Sequence, residues 1–351
     1  MLINFLFCIL LSATISFFIT PLVRNYYIKH RWVEDPIERK RKSSNVTALT
    51  AVPRGGGLPI FISLFVVALL LIPLDKHLIG ILVAAFITLI IGVWDDIKDI
   101  SPKIRLFTNL LAALVVVGFG IGIAYISNPF GGILDFSTYQ INFNLFGPHS
   151  IWVISDILAI IWIIWCMNIT GWSAGVEGQL PGFVAISAFF IGLLGFRYYQ
   201  DPSQWPVIIL SGIVSGAYLG FLPFNFYPQT IMPGYSGKSL AGLLLAILSI
   251  LSGAKLATLI LLLGVPMIDA GFVLLRRLLN HRSLIKSDGQ HLHHLLLKIG
   301  WSRSRISIFY WLISLFLGTL SLFLNSQQKL YIFIGLFLFF LVFVMVISRR
   351  K

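Results

Sequence analysis

Two short stretches concentrate the side chains that could do chemistry. Asp95 and Asp96 close a long apolar run, and Asp99 follows three residues later. Adjacent carboxylates at a helix end repel each other unless a cation or a proton sits between them. Such a pair can hold a hard divalent ion through oxygen, or keep one member basic enough to accept a proton. The bland alternative is a solvated helix end whose charges are matched by Lys98, Lys103 and Arg105. The second stretch, Asp288-Gly289-Gln290-His291-Leu292-His293-His294, packs three of the chain's seven histidines into four positions. Imidazole donates to phosphate oxygens, ligates metals and moves protons near neutral pH. Here the bland alternative is the polar face of a loop helix.

Other stretches carry weaker signals. Gly55-Gly56-Gly57, after Pro53-Arg54, offers backbone without side chains that could approach a phosphate, or a plain turn. Asn168 through Gly178 is glycine-rich with polar punctuation. Gly234-Tyr235-Ser236-Gly237-Lys238 resembles an anion cradle but lacks the full phosphate-loop pattern. Asp269 lies within an apolar run, where an acid is either functional or paired, Arg276 and Arg277 being the nearest cations in sequence. Asp156 is placed to reach the membrane interface.

What must position these groups follows from composition. Apolar types make up 58% of the 351 residues, charged types 11%, and the mean hydropathy is +0.92. Soluble domains carry roughly 25% charged residues, so water is not the main solvent here. A helix needs about 20 apolar residues to cross the hydrocarbon core. Eleven candidate runs lie near 2–22, 57–74, 77–94, 105–126, 151–170, 180–196, 204–222, 239–253, 256–275, 306–325 and 330–348. They are continuous rather than alternating, which argues against a β-barrel. The expectation is an all-α polytopic membrane protein of about eleven transmembrane helices, forming one integral-membrane domain over 1–351. No internal repeat is evident.

The net charge of +13 fits basic cytosolic loops better than nucleic-acid binding. With eleven spans, 22 of the 26 Lys and Arg residues fall on one side and four on the other. The basic side is then cytosolic, with the N-terminus outside and the C-terminus in the cytosol. Cytosolic loops are expected near 24–56, 95–104, 171–179, 223–238 and 276–305. All five polar stations lie on that face, as a shared site at the bilayer surface requires. Cys8 and Cys166 sit in separate apolar runs without metal-ligand spacing. The first apolar run has no charged lead-in, which speaks for a retained span rather than a cleaved leader.

The pieces PRGGG at 53–57, GVWDD at 92–96, FLPFNFYP at 221–228, GVPMID at 264–269 and DGQHLHHLLLKIG at 288–300, in this order, resemble the polyprenyl-phosphate N-acetylhexosamine-1-phosphate transferases of glycosyltransferase family 4. The last piece is more similar to the undecaprenyl-phosphate GlcNAc-1-phosphate branch than to the phospho-N-acetylmuramoyl-pentapeptide branch. The resemblance implies transfer of a sugar-1-phosphate from a UDP-sugar to a polyprenyl phosphate, with release of UMP and use of Mg²⁺, in cell-envelope glycan synthesis. It implies an active face toward the cytosol, in the inner (plasma) membrane, and admits a homodimer. Asp95 and Asp96 take the family's double-acid position, as catalytic residues. Arg105, Asn168, Glu177, Asp288, His291, His293 and His294 are the implied substrate-binding residues, and Asp96 with Asn168 the implied metal ligands.

The chain also departs from the family pattern. Arg105 stands where the family usually has Lys, and Asn109 where it usually has Gln. In the loop N-x-x-N-x-x-D-G-x-D-G, Gly171, Ala174 and Glu177 replace the second Asn and both acids. Tyr235 stands where the family has its Mg²⁺-binding Asp, and a neutral phenol is a poor ligand for that ion. Two readings follow: a transferase with a rearranged metal site, or a catalytically silent relative that binds polyprenyl phosphate or scaffolds a glycan-assembly complex. A transporter would need acids deep in the spans and paired interrupted helices, whereas these polar stations cluster on one face.

Overall fold

The computed structural model of the chain describes residues 1–35, 51–128, 130–144, 148–252, 256–279, 281 and 291–349. Lipid offers backbone groups no partner, so apolar runs satisfy them internally as helices. Each of the eleven runs becomes helical over most of its length, the run 105–126 stopping at Gly118. The helices are α1 (Leu2–Lys29), α2 (Gly57–Leu71), α3 (Lys76–Lys98), α4 (Pro102–Gly118), α5 (Val153–Trp172), α6 (Gln179–Gly195), α7 (Trp205–Asn225), α8 (Gly234–Leu251), α9 (Leu256–Leu262), α10 (Gly264–Leu279), α11 (Leu292–Lys298), α12 (Arg303–Ser321) and α13 (Ser326–Arg349).

The count of eleven spans is not reproduced. Among the described residues, seven helices are long and apolar enough to cross a membrane, or eight if the bent pair α9–α10 is one span. Gly57–Leu71 and Ser326–Val342 are apolar but shorter. The run at 256–275 does not form one straight helix, since α9 and α10 meet at 82°. Pro266 explains the break. A proline ring clashes with the carbonyl four residues back, which is Leu262, the last residue of α9. The new axis carries Asp269 with it.

Glycine lets the bundle close. Gly212, Gly216 and Gly220 form one ridge of α7 at four-residue spacing, the small-residue pattern that brings membrane helices together. A Cβ added at Gly216 would run into Ile9 O and Cα of α1, and one at Gly220 into Ala13 O. We expect Gly216→Leu to lower the melting temperature of the detergent-solubilised protein by at least roughly 5 °C, because the added volume meets backbone. Gly271→Leu is the control, since nothing lies within 4 Å of its Cβ direction. Equal melting for both variants would refute this packing.

α8 is the axial helix, almost wholly buried and packed against α2, α3, α4, α5 and α6. Its N-terminal turn reaches the basic loops. There β1 (Val33–Glu34) pairs antiparallel with β2 (Val52–Pro53), Val33 opposite Pro53. Pro53 O accepts the N–H of Met232 at 2.8 Å, and Gly56 N–H donates to Met232 O at 3.0 Å, so the PRGGG strap is stitched to the loop before α8.

The structure is consistent with the all-α polytopic membrane class, and one extramembrane segment is extended. The segment between α4 and α5 forms two hairpins, β3 (Tyr125–Ser127) with β4 (Ile133–Asp135) and β5 (Gln140–Asn144) with β6 (Pro148–Trp152). Gly131 and Gly132 take the positive φ values, 115° and 78°, of the first turn.

Candidate active site

Burying a carboxylate is costly unless partners replace water. Asp95 and Asp96 are 0% and 7% exposed in the last turn of α3, so their partners define the site. Asp96 faces the start of α8, where helix N–H groups lack internal acceptors. Its Oδ1 accepts the Tyr235 N–H at 2.5 Å. Its Oδ2 accepts Ser236 Oγ–H at 2.5 Å and the Ser236 N–H at 3.3 Å. Close approach makes this possible: a Cβ at Gly92 would strike the Ser236 backbone, and Gly234 adopts φ 69° against Arg54 O.

Asp95 Oδ1 accepts from Arg105 Nε at 2.7 Å. Arg105 Nη2 also donates to Asp99 at 2.8 Å. Arg54 closes the cluster, 3.3 Å from Glu34, 3.6 Å from Asp95 Oδ2, 3.8 Å from Asp96 and 3.9 Å from Asp99. Burial works against its charge, but the carboxylates of Asp96, Glu34, Asp95 and Asp99 outweigh that and hold its pKa above the ordinary value. Among the described residues, Asp95 Oδ2 is buried with no hydrogen-bond partner. Tyr235 lies across the group. Its hydroxyl donates to Asn109 Oδ1 at 2.9 Å and toward Arg105 O at 3.1 Å. The Arg105 guanidinium rests 5.3 Å from its ring centroid.

A second cluster forms where α10 meets α11. His291 Nδ1–H donates to Asp269 Oδ2 at 2.9 Å, and the Leu292 N–H donates to Asp269 Oδ1 at 2.7 Å. Asp269 therefore joins the histidines, not Arg276 or Arg277 as its sequence neighbourhood suggests. Two donors on its oxygens fix the imidazole tautomer and leave Nε2 of neutral His291 as the acceptor. His291 stacks on His293 at 5.8 Å and on Trp172 at 6.4 Å, and His293 meets His294 at 4.3 Å. The loop glycine Gly175 makes room, because a Cβ there would fall inside the His293 ring.

His293 is 2% exposed, and burial, then the charges of His294, His291 and Lys238, push its pKa well below the ordinary 6.5. The native state thus holds it neutral, while the unfolded chain takes up a proton below about 6.5. The unfolded state binds more protons in that window, so stability falls as pH drops through it. His293→Gln should flatten that fall in melting curves recorded above and below this value. An unchanged slope would show that His293 contributes nothing to it.

The first turn of α8 serves both clusters. Tyr235 and Ser236 hold Asp96, while Lys238 acts on His293 and its carbonyl accepts Thr170 Oγ1–H at 3.1 Å. Chemically, the result is a pair of buried acids with two guanidinium groups, and a second cluster of three imidazoles in ring contact.

Some expected members are engaged elsewhere. Glu177 is not presented as a ligand, since Arg303 Nη1 bonds both its oxygens at 2.8 and 2.9 Å. The Asn168 amide turns back to Ile164 O at 2.7 Å, the usual bond of a short polar side chain inside a helix, rather than toward Asp96. Asp288 lies outside the described residues. Arg54, Asp269, Trp172, Lys238 and Arg303 take places that sequence reading did not assign them.

The donor set does not fit a resident Mg²⁺. That ion demands near-octahedral oxygen coordination. Both Asp96 oxygens already accept hydrogen bonds, the Tyr235 phenol points to Asn109, Arg105 occupies Asp95 Oδ1, and Arg54 stands 3.6 Å from Asp95 Oδ2. Among the described residues, no three His, Cys, Asp or Glu side chains are grouped for a metal.

The profile of glycosyl transferase family 4 matches residues 78–253. Over 335 residues the chain is 29% identical to the probable undecaprenyl-phosphate N-acetylglucosaminyl 1-phosphate transferase of Bacillus subtilis (strain 168), covering 93% of this chain and 86% of the relative. It is 27% identical over 360 residues to the decaprenyl-phosphate N-acetylglucosaminephosphotransferase of Mycobacterium tuberculosis (strain ATCC 25618 / H37Rv), covering 93% and 84%. It is 26% identical over 330 residues to the phospho-N-acetylmuramoyl-pentapeptide-transferase of Bacillus velezensis, covering 91% and 97%. Each relative is named as an enzyme, so the silent-scaffold reading gains no support from them.

Proposed function

The chain belongs to glycosyl transferase family 4, and from that premise we propose that it transfers N-acetylhexosamine-1-phosphate from a UDP-sugar to a polyprenyl phosphate, releasing UMP. The observation that carries the reading is the buried acid pair Asp95–Asp96, held between two guanidinium groups and the first turn of α8.

In this reading an oxygen of the lipid phosphate attacks the β-phosphorus of the donor. A new P–O bond forms there, and the P–O bond to UMP breaks. Asp95 Oδ2, a buried oxygen without a hydrogen-bond partner among the described residues, takes a proton from the acceptor when that phosphate arrives singly protonated. Arg54 and Arg105 screen the repulsion between the two anionic substrates. The histidine trio receives the nucleotide side, with His291 held by Asp269 and Trp172. The basic loops and this face lie in the cytosol, with the N-terminus outside, across the plasma membrane. The lipid tail stays in the bilayer, and the product feeds cell-envelope glycan synthesis.

Membranes containing the protein should release UMP when given a UDP-N-acetylhexosamine and undecaprenyl phosphate. Absence of UMP across a panel of donors, with lipid binding intact, would instead support the silent scaffold. Labelling of cysteines placed at Trp94 or His291 by an impermeant reagent outside intact cells would overturn the topology.

A further inference from the structure

Three of the chain's departures from its family pattern, Arg105, Asn109 and Tyr235, meet in one place. The phenol of Tyr235 bonds Asn109 Oδ1 and the backbone oxygen of Arg105, and the Arg105 side chain covers its ring. They are up to 130 residues apart in sequence. A phenol is larger than a carboxymethyl group, and Asn is one methylene shorter than Gln, so the exchanges compensate in volume. In charge they leave the cluster one unit more positive, since an acid is missing at 235 while Lys and Arg carry the same charge. Arg105, fork-shaped where Lys is a point charge, bridges Asp95 and Asp99. Arg54 lies 3.6 to 3.9 Å from Asp95, Asp96 and Asp99, facing the other oxygen of Asp95.

We propose that in this chain the Arg105–Tyr235–Asn109 contact, with Arg54, has replaced the divalent-cation site, so that protein guanidinium groups neutralise the phosphates and transfer proceeds without a metal ion. The inference rests on the transferase reading for its catalytic half. Its structural half is that the acids near position 235 hold no divalent ion because guanidinium groups fill the space between them. Guanidinium suits the task because its N–H fork matches phosphate oxygens and its charge persists at any physiological pH.

Mn²⁺ is a spectroscopic probe for such a site. The purified full chain in detergent should leave the Mn²⁺ paramagnetic resonance signal undiminished at millimolar metal. The triple variant Tyr235→Asp, Arg105→Lys, Asn109→Gln should take up about one Mn²⁺ per chain. A chelator should change the UMP-release rate of the wild type by less than twofold. Mn²⁺ uptake by the wild type that disappears in Asp95→Asn would overturn the proposal, and so would a folded triple variant that takes up none. If the triple variant does not fold, the wild-type titration and chelator result decide alone. A wild type that binds no Mn²⁺ and turns over no donor keeps the structural half and sinks the transferase reading. One that turns over only when Mg²⁺ is supplied keeps the transferase and sinks this proposal.

Discussion

Asp96→Asn should reduce UMP release by more than about 100-fold and destabilise the protein by roughly 3–5 kcal/mol, the usual cost of breaking a buried charge pair by removing one partner. The carboxylate now accepts the Tyr235 N–H on one oxygen, and the Ser236 hydroxyl and N–H on the other. Asn keeps one acceptor and sets an NH₂ donor against whichever donors remain. Arg54, 12% exposed, also loses a counter-charge. Against a total stability of about 5–15 kcal/mol, that is a large fraction. Ser236→Ala isolates the smaller effect, since it removes one hydroxyl bond and should cost only about 1 kcal/mol. Melting in detergent and UMP release, measured on both variants, separate anchoring from chemistry. If Asp96→Asn melts with the wild type and turns over within twofold of it, the acid neither anchors α8 nor belongs to the mechanism.

Much of the frame is readable from the residues, for one physical reason. Hydrocarbon gives the backbone no partners, so a long apolar run has little choice but to be a helix. All eleven runs became helical over most of their length on that account. The exceptions are local. Pro266 sits inside a run whose composition reads as continuous, yet its ring ends α9 at Leu262. The Lys- and Arg-free stretch before α5 pairs as hairpins whose strands are three to five residues long, too short for alternation to stand out.

The site divides in the same way. Composition marked the polar stations, because polar groups in such a chain are expensive and therefore conspicuous. It could not mark pairings. Glu177 and Arg303 meet across 126 positions and Asp96 and Tyr235 across 139. Only the packing of helices decides such partners. Arg54 was hidden in a motif read for its glycines. For Asp269 the sequence leaves two readings open, a functional acid or a partner of Arg276 or Arg277, and the bend at Pro266 brings it to His291.

That redirected acid carries the second large effect. Asp269→Asn should lower kcat by about 100-fold, the cost of displacing a substrate-positioning group by about 1 Å. Asp269 satisfies two different donors, His291 Nδ1–H and the Leu292 N–H, one on each oxygen. Asn can accept only on its single oxygen, so either the imidazole or the start of α11 meets an NH₂ donor instead. Rotation of His291 would also break its stacking on Trp172 and His293. A purely structural acid would lower the melting temperature and leave the pH profile of kcat in place. A positioning acid moves the profile, because it sets which imidazole nitrogen carries the proton. The double variant with His291→Gln discriminates further. If Asp269 acts through His291, the two losses should not add, and the pair should be about as slow as His291→Gln alone. Full additivity would mean that Asp269 and His291 work independently, and the hydrogen bond between them would then have no part in the reaction.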